Sequence, residues 1–432
     1  MMSVMDVGTA TLRVDPDRLV DRLMQLGSVG AIDGGGVCRL ALTDEDRAAR
    51  DLVVDWMRDL AMEIRVDAIG NVVATWSGSV TPEGGGMRGS APAPVMCGSH
   101  IDTVRTGGKY DGNYGVLAGL EVVETLAGAG IRTERPIAVA FFTDEEGARF
   151  HPDMLGSLVY AGGMNLEAAL DVRGIDGARL GDELARIGYA GPHPCPGPVP
   201  HAYVEVHIEQ GPVLEADGIT IGAVTGVQGI HWEEITITGR SAHAGTTPMT
   251  MRRDAALAAA RLIVAIDDLV DDSGGAQVGT VGALDLYPNL VNVVAARAQL
   301  SVDLRNTDAD ALTAAIETLG AACDEVAGEC GVQIERRVTA DFAPVDFDER
   351  VITLVERTAA ALGHSTRRMP SGAGHDAQML ARVCPTAMIF VPSQGGLSHN
   401  VAEHTDPADL AAGADVLLHS LLALSGGDRG AG

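Results

Sequence analysis

The chain has 432 residues, more than one hydrophobic core usually spans, so we expect two domains and an enclosed active site. Its 31 Lys and Arg residues against 59 Asp and Glu residues give a formal net charge of -28, which would repel nucleic acid backbones and anionic membranes. These figures argue against a nucleic-acid-binding protein and against a small disulfide-stabilised scaffold.

Cysteine spacing and the N-terminal sequence bear on the cellular compartment. The six cysteines form no CxxC pair, and the N-terminus lacks a basic region followed by an apolar run. No stretch approaches the roughly 18 consecutive apolar residues of a membrane span. We therefore expect a cytoplasmic protein that does not cross a membrane.

Apolar runs of strand type alternate with helical patterns over the first half of the chain. The runs are APVMCGSH, IAVAFFT and AYVEVHI, with helical segments such as GVLAGLEVVETLAGAG between them. This alternation is typical of an α/β fold with a mixed, mostly parallel sheet and helices on both faces. Two stretches rich in Gly and Pro, residues 78–94 and 188–201, are predicted surface loops.

The pattern changes after Gly211. Segments that alternate with period two surround two helical patterns, at residues 254–270 and 307–328. They predict a smaller α+β domain inserted over residues 212–331. Residues 1–211 and 332–432 would together form the first domain, the latter with a buried strand, TAMIFVP, and a final helix from residue 407 to 424.

Four short stretches place His, Asp or Glu side chains at or just after the ends of predicted strands. They are SHID, TDEEG, VEVHIEQG and GGLSHNVAEHT. Because the C-terminal ends of parallel strands meet at one edge of a sheet, we expect these side chains to lie together. Imidazoles and carboxylates suit borderline divalent ions such as zinc, manganese or cobalt. The candidate ligands are His100, Asp111, Glu146, His207 and His399.

Five ligands exceed the three that a catalytic zinc ion takes from a protein, so they indicate two ions. One carboxylate commonly bridges such a pair, and we assign this role to Asp111, with His100 on one ion. Asp102 is expected to orient the His100 ring through its other nitrogen. Glu145 and Glu146 point in different directions, so one can ligate while the other is a general base. Spacing alone does not fix their order, and we assign Glu146 to the metal.

Each of these side chains also has a purely structural interpretation. His100 and His207 could be satisfied core histidines, and Asp111 in YDGN could begin a turn. The glutamate pair could be the solvated start of a helix. The four stretches together favour metal ligands over these alternatives.

Longer stretches resemble the N-carbamoyl-L-amino acid hydrolase, β-ureidopropionase and allantoate amidohydrolase group. This group belongs to the aminoacylase and carboxypeptidase-like family of di-metal amidohydrolases. The stretches include GGKYDGNYGVLAGLEVV, FTDEEGARF, VEVHIEQGPVLE, GAGHDAQ and SHNVAEHT, and the resemblance spans about residues 15 to 424. The chain departs from many relatives in Asp144, where they have Asn, and in an insertion at residues 80–94. We expect that insertion at the end of the sheet away from the metals.

The resemblance implies how the ligands are shared between two ions. The implied sets are His100, Asp111 and His207 for one ion, and Asp111, Glu146 and His399 for the other. It also implies that Glu145 is the general base.

The resemblance further implies a lid and dimerisation domain and a set of substrate contacts. The substrate-contacting positions are Gln210, His243, Asn292, Arg305 and His375. Arg305 suits the carboxylate of an amino-acid-derived substrate, although a salt bridge with Asp303 or Asp308 is the structural alternative. His243 would reach into the neighbouring subunit's site and polarise the substrate carbonyl, which makes a homodimer part of catalysis.

The expected activity is metal-dependent hydrolysis of the ureido C–N bond of an N-carbamoyl-L-amino acid or similar ureido acid. The products would be ammonia, carbon dioxide and the amino acid. The expected cofactors are two divalent ions per subunit, zinc or manganese first, with cobalt or nickel as alternatives. An allantoate amidohydrolase, or an aminoacylase or dipeptidase that cleaves an N-acyl amide, remains the alternative.

Overall fold

The computed structural model describes residues 11–78, 92–275 and 277–426. The chain folds into two compact units. Unit 1 comprises the chain up to Thr225 and from Asp346 onward, and unit 2 comprises Gly226–Val345. Residues 212–225, expected in the inserted domain, belong to unit 1, and residues 332–345, expected in the first domain, belong to unit 2. Most of the predicted loop and insertion at residues 78–94 lies outside the described residues.

Unit 1 is built on a mixed sheet of nine strands among the described residues, in the order β1-β2-β4-β3-β5-β16-β6-β14, with β15 paired to β6. The strands of its first part are β1 (Glu63–Val66), β2 (Val72–Trp76), β3 (Val95–His100), β4 (Ile137–Phe142), β5 (Ala202–Ile208) and β6 (Ile221–Val227). The later strands are β14 (Val345–Asp346), β15 (Thr366–Ser371) and β16 (Thr386–Val391).

The centre of this sheet is parallel. Strand β3 pairs in parallel with β4 and β5, and β5 pairs in parallel with β16, whereas β2 and β6 flank this centre in antiparallel orientation. Every residue of the central strands is buried and most are apolar, as expected for a sheet covered on both faces. The prediction of a mixed sheet with a parallel core is confirmed, and the C-terminal ends of four strands meet at one edge.

Helices cover both faces of the sheet, and successive side chains of β5 point to opposite faces. Val206 packs against Gly413 in the C-terminal helix, whereas the Glu205 carboxylate accepts a hydrogen bond from the Ala377 amide on the other side. The helices before unit 2 are α1 (Pro16–Gly27), α2 (Asp44–Asp59), α3 (Asn113–Gly128), α4 (Leu155–Tyr160), α5 (Leu166–Leu170), α6 (Leu180–Ile187) and α7 (Val213–Asp217). Those after it are α10 (Glu349–Ala361), α11 (Asp376–Leu380) and α12 (Pro407–Leu424).

Helix α12 is apolar on most of its surface, because it lies in the core against α3, β5 and β16. Its first turn is capped by Asp406, whose carboxylate accepts from the Ala408 amide, and Pro407 stands where a helical N–H is not needed. Among the described residues it is the one helix long and apolar enough to cross a membrane, and 67% of it is buried inside the protein.

Unit 2 is an α+β unit. Its antiparallel sheet has the order β10-β12-β7-β13, with β9 paired to β12, and β8 and β11 form a separate two-stranded ribbon. Two helices pack on one face, where Ile235 and Leu300 contribute to a buried cluster, while Trp232 on the other face is exposed. The strands are β7 (Gly229–Thr238), β8 (Ala242–His243), β9 (Val278–Thr280), β10 (Leu284–Tyr287), β11 (Val293–Val294), β12 (Arg297–Asn306) and β13 (Gln333–Phe342), and the helices are α8 (Ala255–Asp272) and α9 (Ala309–Cys330).

Candidate metal centre

The strand ends of unit 1 bring the candidate ligands together. His100 is the last residue of β3 and lies opposite Phe142, the last residue of β4, so the TDEEG segment follows directly beside it. His207 is in register with Phe390 near the ends of β5 and β16. The geometry follows from the parallel pairing, since these strands all run towards one edge.

A first group consists of His100, Asp111 and His207, all buried, with potential ligand atoms within 4.8 Å of one another. Asp111 Oδ1 lies 3.4 Å from His100 Nε2 and 3.2 Å from His207 Nε2. The three atoms converge as ligands of one ion would.

A second group consists of Asp111, Glu146 and His399. His399 Nε2 lies 3.5 Å from Asp111 Oδ2 and 3.1 Å from Glu146 Oε2. Asp111 therefore turns one carboxylate oxygen towards each group, which is the arrangement that a bridging carboxylate requires.

Backbone carbonyls orient both buried histidines. His100 Nδ1 lies 3.0 Å from the backbone oxygen of Asp102, and His207 Nδ1 lies 2.8 Å from that of Ile208. A donor hydrogen on Nδ1 leaves Nε2 of each ring as the atom that faces Asp111.

The expected role of the Asp102 carboxylate needs correction. Its Oδ1 lies 3.8 Å from His100 Nδ1, beyond hydrogen-bond range, because the backbone oxygen occupies that position. The carboxylate instead accepts from the backbone amides of Glu145 and Glu146, each at 3.3 Å. Burial raises the pKa of Asp102 to about 6. Asp102 thus holds the glutamate pair as well as the histidine ring.

Gly112 permits the close approach between the turn before α3 and the His100 ring. Its φ is 64°, and a Cβ at this position would lie 2.4 Å from His100 Nε2. No other residue fits here without displacing the ring.

Three non-glycine residues of the site have left-handed backbone conformations. Asp144, Gln210 and His399 have φ values of 58°, 59° and 54°. Such strain clusters at functional sites, where the surrounding structure compensates it. Asp tolerates this region better than most residues.

Glu145 lies beside the first group. It is 7% exposed, and its Oε2 is 3.4 Å from His100 Nε2. Burial, followed by the charges of Asp376 and Glu146, raises the pKa of Glu145 well above its ordinary value, although His100 opposes the shift. A raised pKa makes the carboxylate a stronger base, as suits a group that accepts and returns a proton.

The pKa values of the candidate ligands are shifted by the carboxylates and imidazoles that cluster around them. Burial would lower the pKa of His100, but Glu145 and Asp111 raise it well above its ordinary value. Hydrogen bonds to Asp111 and Glu146 raise the pKa of His399 to about 10. Burial would raise the pKa of Asp111, yet its histidine neighbours hold it well below the usual range. A site that stabilises added positive charge in this way fits divalent cations.

Two of the expected substrate contacts lie at this centre. Gln210 Nε2 donates to Asp111 Oδ2 at 2.7 Å, and its Oε1 is buried without a hydrogen-bond partner among the described residues. The His375 ring packs edge-on against His207 with centroids 4.6 Å apart, and its Nε2 lies 2.9 Å from Ser371 Oγ. Burial and the neighbouring His207 hold the pKa of His375 well below its ordinary value.

Glu205, His207 and His375 form a third group within 4.8 Å. Glu205, however, accepts from Ser99 Oγ at 2.6 Å and from the Ala377 amide at 2.8 Å. These contacts give Glu205 a structural role in joining β3, β5 and α11.

The other expected contacts belong to unit 2. His243 in β8 lies opposite Val293 in β11, next to Asn292, and both His243 and Asn292 are exposed. His243 Nδ1 accepts from the backbone amides of Gly245 and Thr246, so the ring hydrogen resides on Nε2.

Arg305, at the end of β12, pairs with both carboxylate oxygens of Asp303 at 2.8–3.1 Å. Its guanidinium also lies 5.9 Å from the Trp232 ring centroid. The salt bridge that was the structural alternative for Arg305 is therefore present, and any carboxylate ligand would share the guanidinium with Asp303.

Sequence reasoning passed over two residues that flank His399. Ser398 Oγ lies 2.8 Å from Asp111 Oδ2, and Glu403 Oε1 accepts from the Tyr110 and Asp111 amides at 2.9 and 3.2 Å. Both stand in the SHNVAEHT stretch, which was the available signal. A loop has no periodicity that reports burial, so Glu403 resembled a surface glutamate.

Comparisons with known proteins match almost the whole chain. Residues 96–423 match the model of peptidase family M20/M25/M40. An N-carbamoyl-L-amino-acid amidohydrolase of Rhizobium meliloti is 42% identical over 95% of this chain and 96% of its own. Another, from Geobacillus stearothermophilus, is 41% identical over 96% of this chain and 100% of its own. The crystal structure of a hydantoinase/carbamoylase family amidase from Burkholderia multivorans superposes with a TM-score of 0.91 at 44% identity, covering 96% and 99% of the two chains.

Proposed function

The chain belongs to peptidase family M20/M25/M40, and we propose that it is a metal-dependent amidohydrolase acting on the ureido C–N bond of N-carbamoyl-L-amino acids. One observation carries the proposal. Asp111 turns its two oxygens towards two separate groups of His and carboxylate ligands, with Glu145 beside them. The similarity to N-carbamoyl-L-amino-acid amidohydrolases supports the substrate class.

Two divalent ions per subunit fit this donor set, with zinc or manganese first and cobalt or nickel as alternatives. His100, Asp111 and His207 would hold one ion, and Asp111, Glu146 and His399 the other. When bound, the ions supply Lewis acidity to the carbonyl group and to the attacking water. Carboxylates and imidazoles accept several of these metals, so availability decides between them.

Glu145 is the proposed general base. Its raised pKa and its position against His100 support a role in proton transfer rather than in ligation. It would take a proton from the water that attacks the ureido carbonyl and deliver it to the leaving nitrogen. The amino acid then departs, and the carbamate left behind decays to ammonia and carbon dioxide.

We propose that four polar side chains orient the substrate. The buried Oε1 of Gln210 offers an acceptor for a ureido N–H, and neutral His375 adds a polar contact. Arg305 would bind the substrate carboxylate through the forked guanidinium, with Asp303 fixing its orientation. Asn292 lies beside His243 and would contact the same end of the substrate.

We propose that unit 2 is a lid and dimerisation domain and that the enzyme is a homodimer. The Nε2–H of His243 is a fixed donor, because two backbone amides occupy Nδ1. Such a donor suits the oxygen of the substrate carbonyl as it gains negative charge, and His243 of the partner subunit would supply it. The proposed location is the cytoplasm, with a small-molecule ureido acid as the partner and neither nucleic acid nor membrane.

Ammonia release tests the proposal directly. Metal-reconstituted protein would be assayed with an N-carbamoyl-L-α-amino acid, N-carbamoyl-β-alanine and allantoate, each before and after chelation. We expect chelator-sensitive ammonia from the first compound. Release from allantoate alone would indicate an allantoate amidohydrolase. If metal-loaded protein released ammonia from none of the three compounds, the proposal would be contradicted and an aminoacylase or dipeptidase favoured. A panel of N-acyl amino acids and dipeptides would detect that activity.

A further inference from the structure

Glu403 connects the two loops that carry Asp111 and His399, two of the three ligands of the second group. It lies between β16 and α12, four residues after His399, and is 7% exposed. Its Oε1 accepts from the backbone amides of Tyr110 and Asp111, in the turn before α3. Its Oε2 lies 3.1 Å from the hydroxyl of Ser398, next to His399. One side chain therefore contacts the backbone on one side and the His399 loop on the other.

Ser398 extends this connection to the carboxylate of Asp111. Its Oγ lies 2.8 Å from Asp111 Oδ2 and 3.1 Å from Glu403 Oε2, and its single hydrogen can serve one of the two at a time. Gln210 Nε2 donates to the same Asp111 oxygen at 2.7 Å. These contacts fix the rotation of the Asp111 carboxylate, so that Oδ2 faces His399 while Oδ1 faces the buried histidines.

The close packing of Glu403 leaves little freedom to either loop. A Cβ at Gly108 would lie 2.0 Å from Glu403 Oε1, so the carboxylate rests directly on the backbone before Asp111. The Glu403 amide in turn donates to the Asn400 carbonyl at 3.0 Å, which forms a turn directly after His399. His399 itself has a strained φ of 54°, and such a conformation persists only when neighbours hold it.

We propose that Glu403 is a positioning residue that sets the second metal site, by holding the Asp111 turn and the His399 loop together through Ser398. The inference rests on the proposed two-metal centre. The first group takes two of its three ligands from strands β3 and β5, which pairing within the sheet already fixes. The second group takes all three from loops and turns, and two of them lie on the segments that Glu403 joins. Loss of Glu403 should therefore weaken the second ion selectively.

Titration of Mn²⁺ into chelator-treated full-length protein tests this selectivity. The wild-type chain is expected to take up two ions. Glu403→Ala should bind the second ion about 10- to 100-fold more weakly, with the first within about threefold of wild type, as for other residues that orient ligands. Glu403→Gln keeps an acceptor oxygen for the two amides and should restore part of the loss.

Asp415→Asn is the matched control. Asp415 is also 7% exposed and accepts from a backbone amide, that of Val14, but it contacts no candidate ligand. Its substitution should leave both affinities unchanged. If Glu403→Ala does not fold, Ser398→Ala leaves Glu403 in place and should still weaken the second ion about tenfold.

The outcomes separate the inference from the function on which it rests. Equal weakening of both ions, or of neither, in a folded variant would overturn the positioning role while leaving the two-metal centre intact. A wild-type chain that takes up fewer than two ions would overturn the centre itself, and the inference with it.

Discussion

Glu145 and Glu146 are adjacent in the chain but have different surroundings. Glu146 Oε2 lies 3.1 Å from His399, whereas Glu145 lies against His100. We predict that Glu145→Gln lowers kcat about 10²- to 10⁴-fold, because the amide cannot accept the proton, and leaves two bound metal ions per subunit. Ammonia release and metal analysis on the same sample check this. Glu146→Gln is the matched control and should lose one ion.

If Glu145→Gln retained near-normal turnover, the assignment of the base would be wrong. If it lost an ion while Glu146→Gln kept both, the roles of the two glutamates would be exchanged. Glutamine preserves the volume of the side chain, so neither result would follow from a change in packing.

The sequence predicted the positions of some site residues better than those of others. His100, Asp111 and His207 were expected together because strand ends of a parallel sheet share an edge, and the structure brings them within 4.8 Å. The contact of Asp102 with His100 was expected from the carboxylate but is made by the backbone oxygen. Both oxygens belong to the same residue, and its torsion angles, which the sequence does not give, decide which one faces the ring. Ser398 and Glu403 were missed because a loop sequence does not reveal which side chains turn inward.

Among the elements, helix α2 anchors the strand that leads to the glutamate pair. Arg50 is fully buried and donates to Asp46 Oδ2, the Gly70 carbonyl and Thr143 Oγ1. We predict that Arg50→Met lowers the free energy of unfolding by about 3 to 5 kcal/mol, because it leaves the Asp46 charge buried without its partner. Urea unfolding measures the change.

The control for Arg50 is Arg58 on the same helix. Arg58 pairs with Asp55, but both side chains are more than 60% exposed, at 64% and 67%. Arg58→Ala should change stability by less than about 1 kcal/mol. Comparable losses for the two variants would contradict the view that α2 holds the strand end through its buried arginine.

Helix α12 gives stability a dependence on pH. Burial raises the pKa of Asp415 to about 6, above its unfolded value of about 3.9. The folded state therefore binds more protons between these values, and its stability falls as pH rises through this window. Wild type should lose about 1 to 2 kcal/mol more than Asp415→Asn between pH 4 and 7, after allowance for solvent screening. Parallel urea unfolding curves without this difference would contradict the assignment.

The sequence predicted the strands more accurately than it predicted the unit to which each strand belongs. The runs APVMCGSH, IAVAFFT and AYVEVHI correspond to β3, β4 and β5, because buried strands are short apolar runs with clear ends. Strand β6 has the alternating pattern that was assigned to the inserted domain, yet it pairs antiparallel with β16 in the large sheet. An alternating pattern predicts a strand but does not identify its partner, which depends on contacts between distant parts of the chain.

At the scale of the whole molecule, unit 2 carries apolar side chains that its own fold does not cover. Five lie in the segments that follow His243 or precede Asn292 and are each more than half exposed. They are Met249 at 69%, Met251 at 60%, Tyr287 at 65%, Leu290 at 59% and Val291 at 105%. Exposed apolar side chains concentrated in this way are typical of protein interfaces. They support the proposed homodimer.

Mixing two inactive variants tests whether the dimer completes the active site. In His243→Ala the carbonyl donor is lost, and in Glu145→Gln the base is lost, so each homodimer should be nearly inactive. If His243 of the partner subunit acts at each site, a heterodimer combines one intact Glu145 with one intact His243. After subunit exchange in an equal mixture, half of the dimers are mixed and half of their sites are complete, so about a quarter of wild-type ammonia release should return.

Recovered activity that depends on subunit exchange would show that it comes from heterodimers. Mixing without exchange should restore nothing, and the recovered activity should rise with the fraction of heterodimer measured by native mass spectrometry. If heterodimers form and remain inactive, His243 acts within its own subunit or not at all. In that case the exposed apolar segments would serve association alone, and the fixed Nε2 donor would need another acceptor in the same chain.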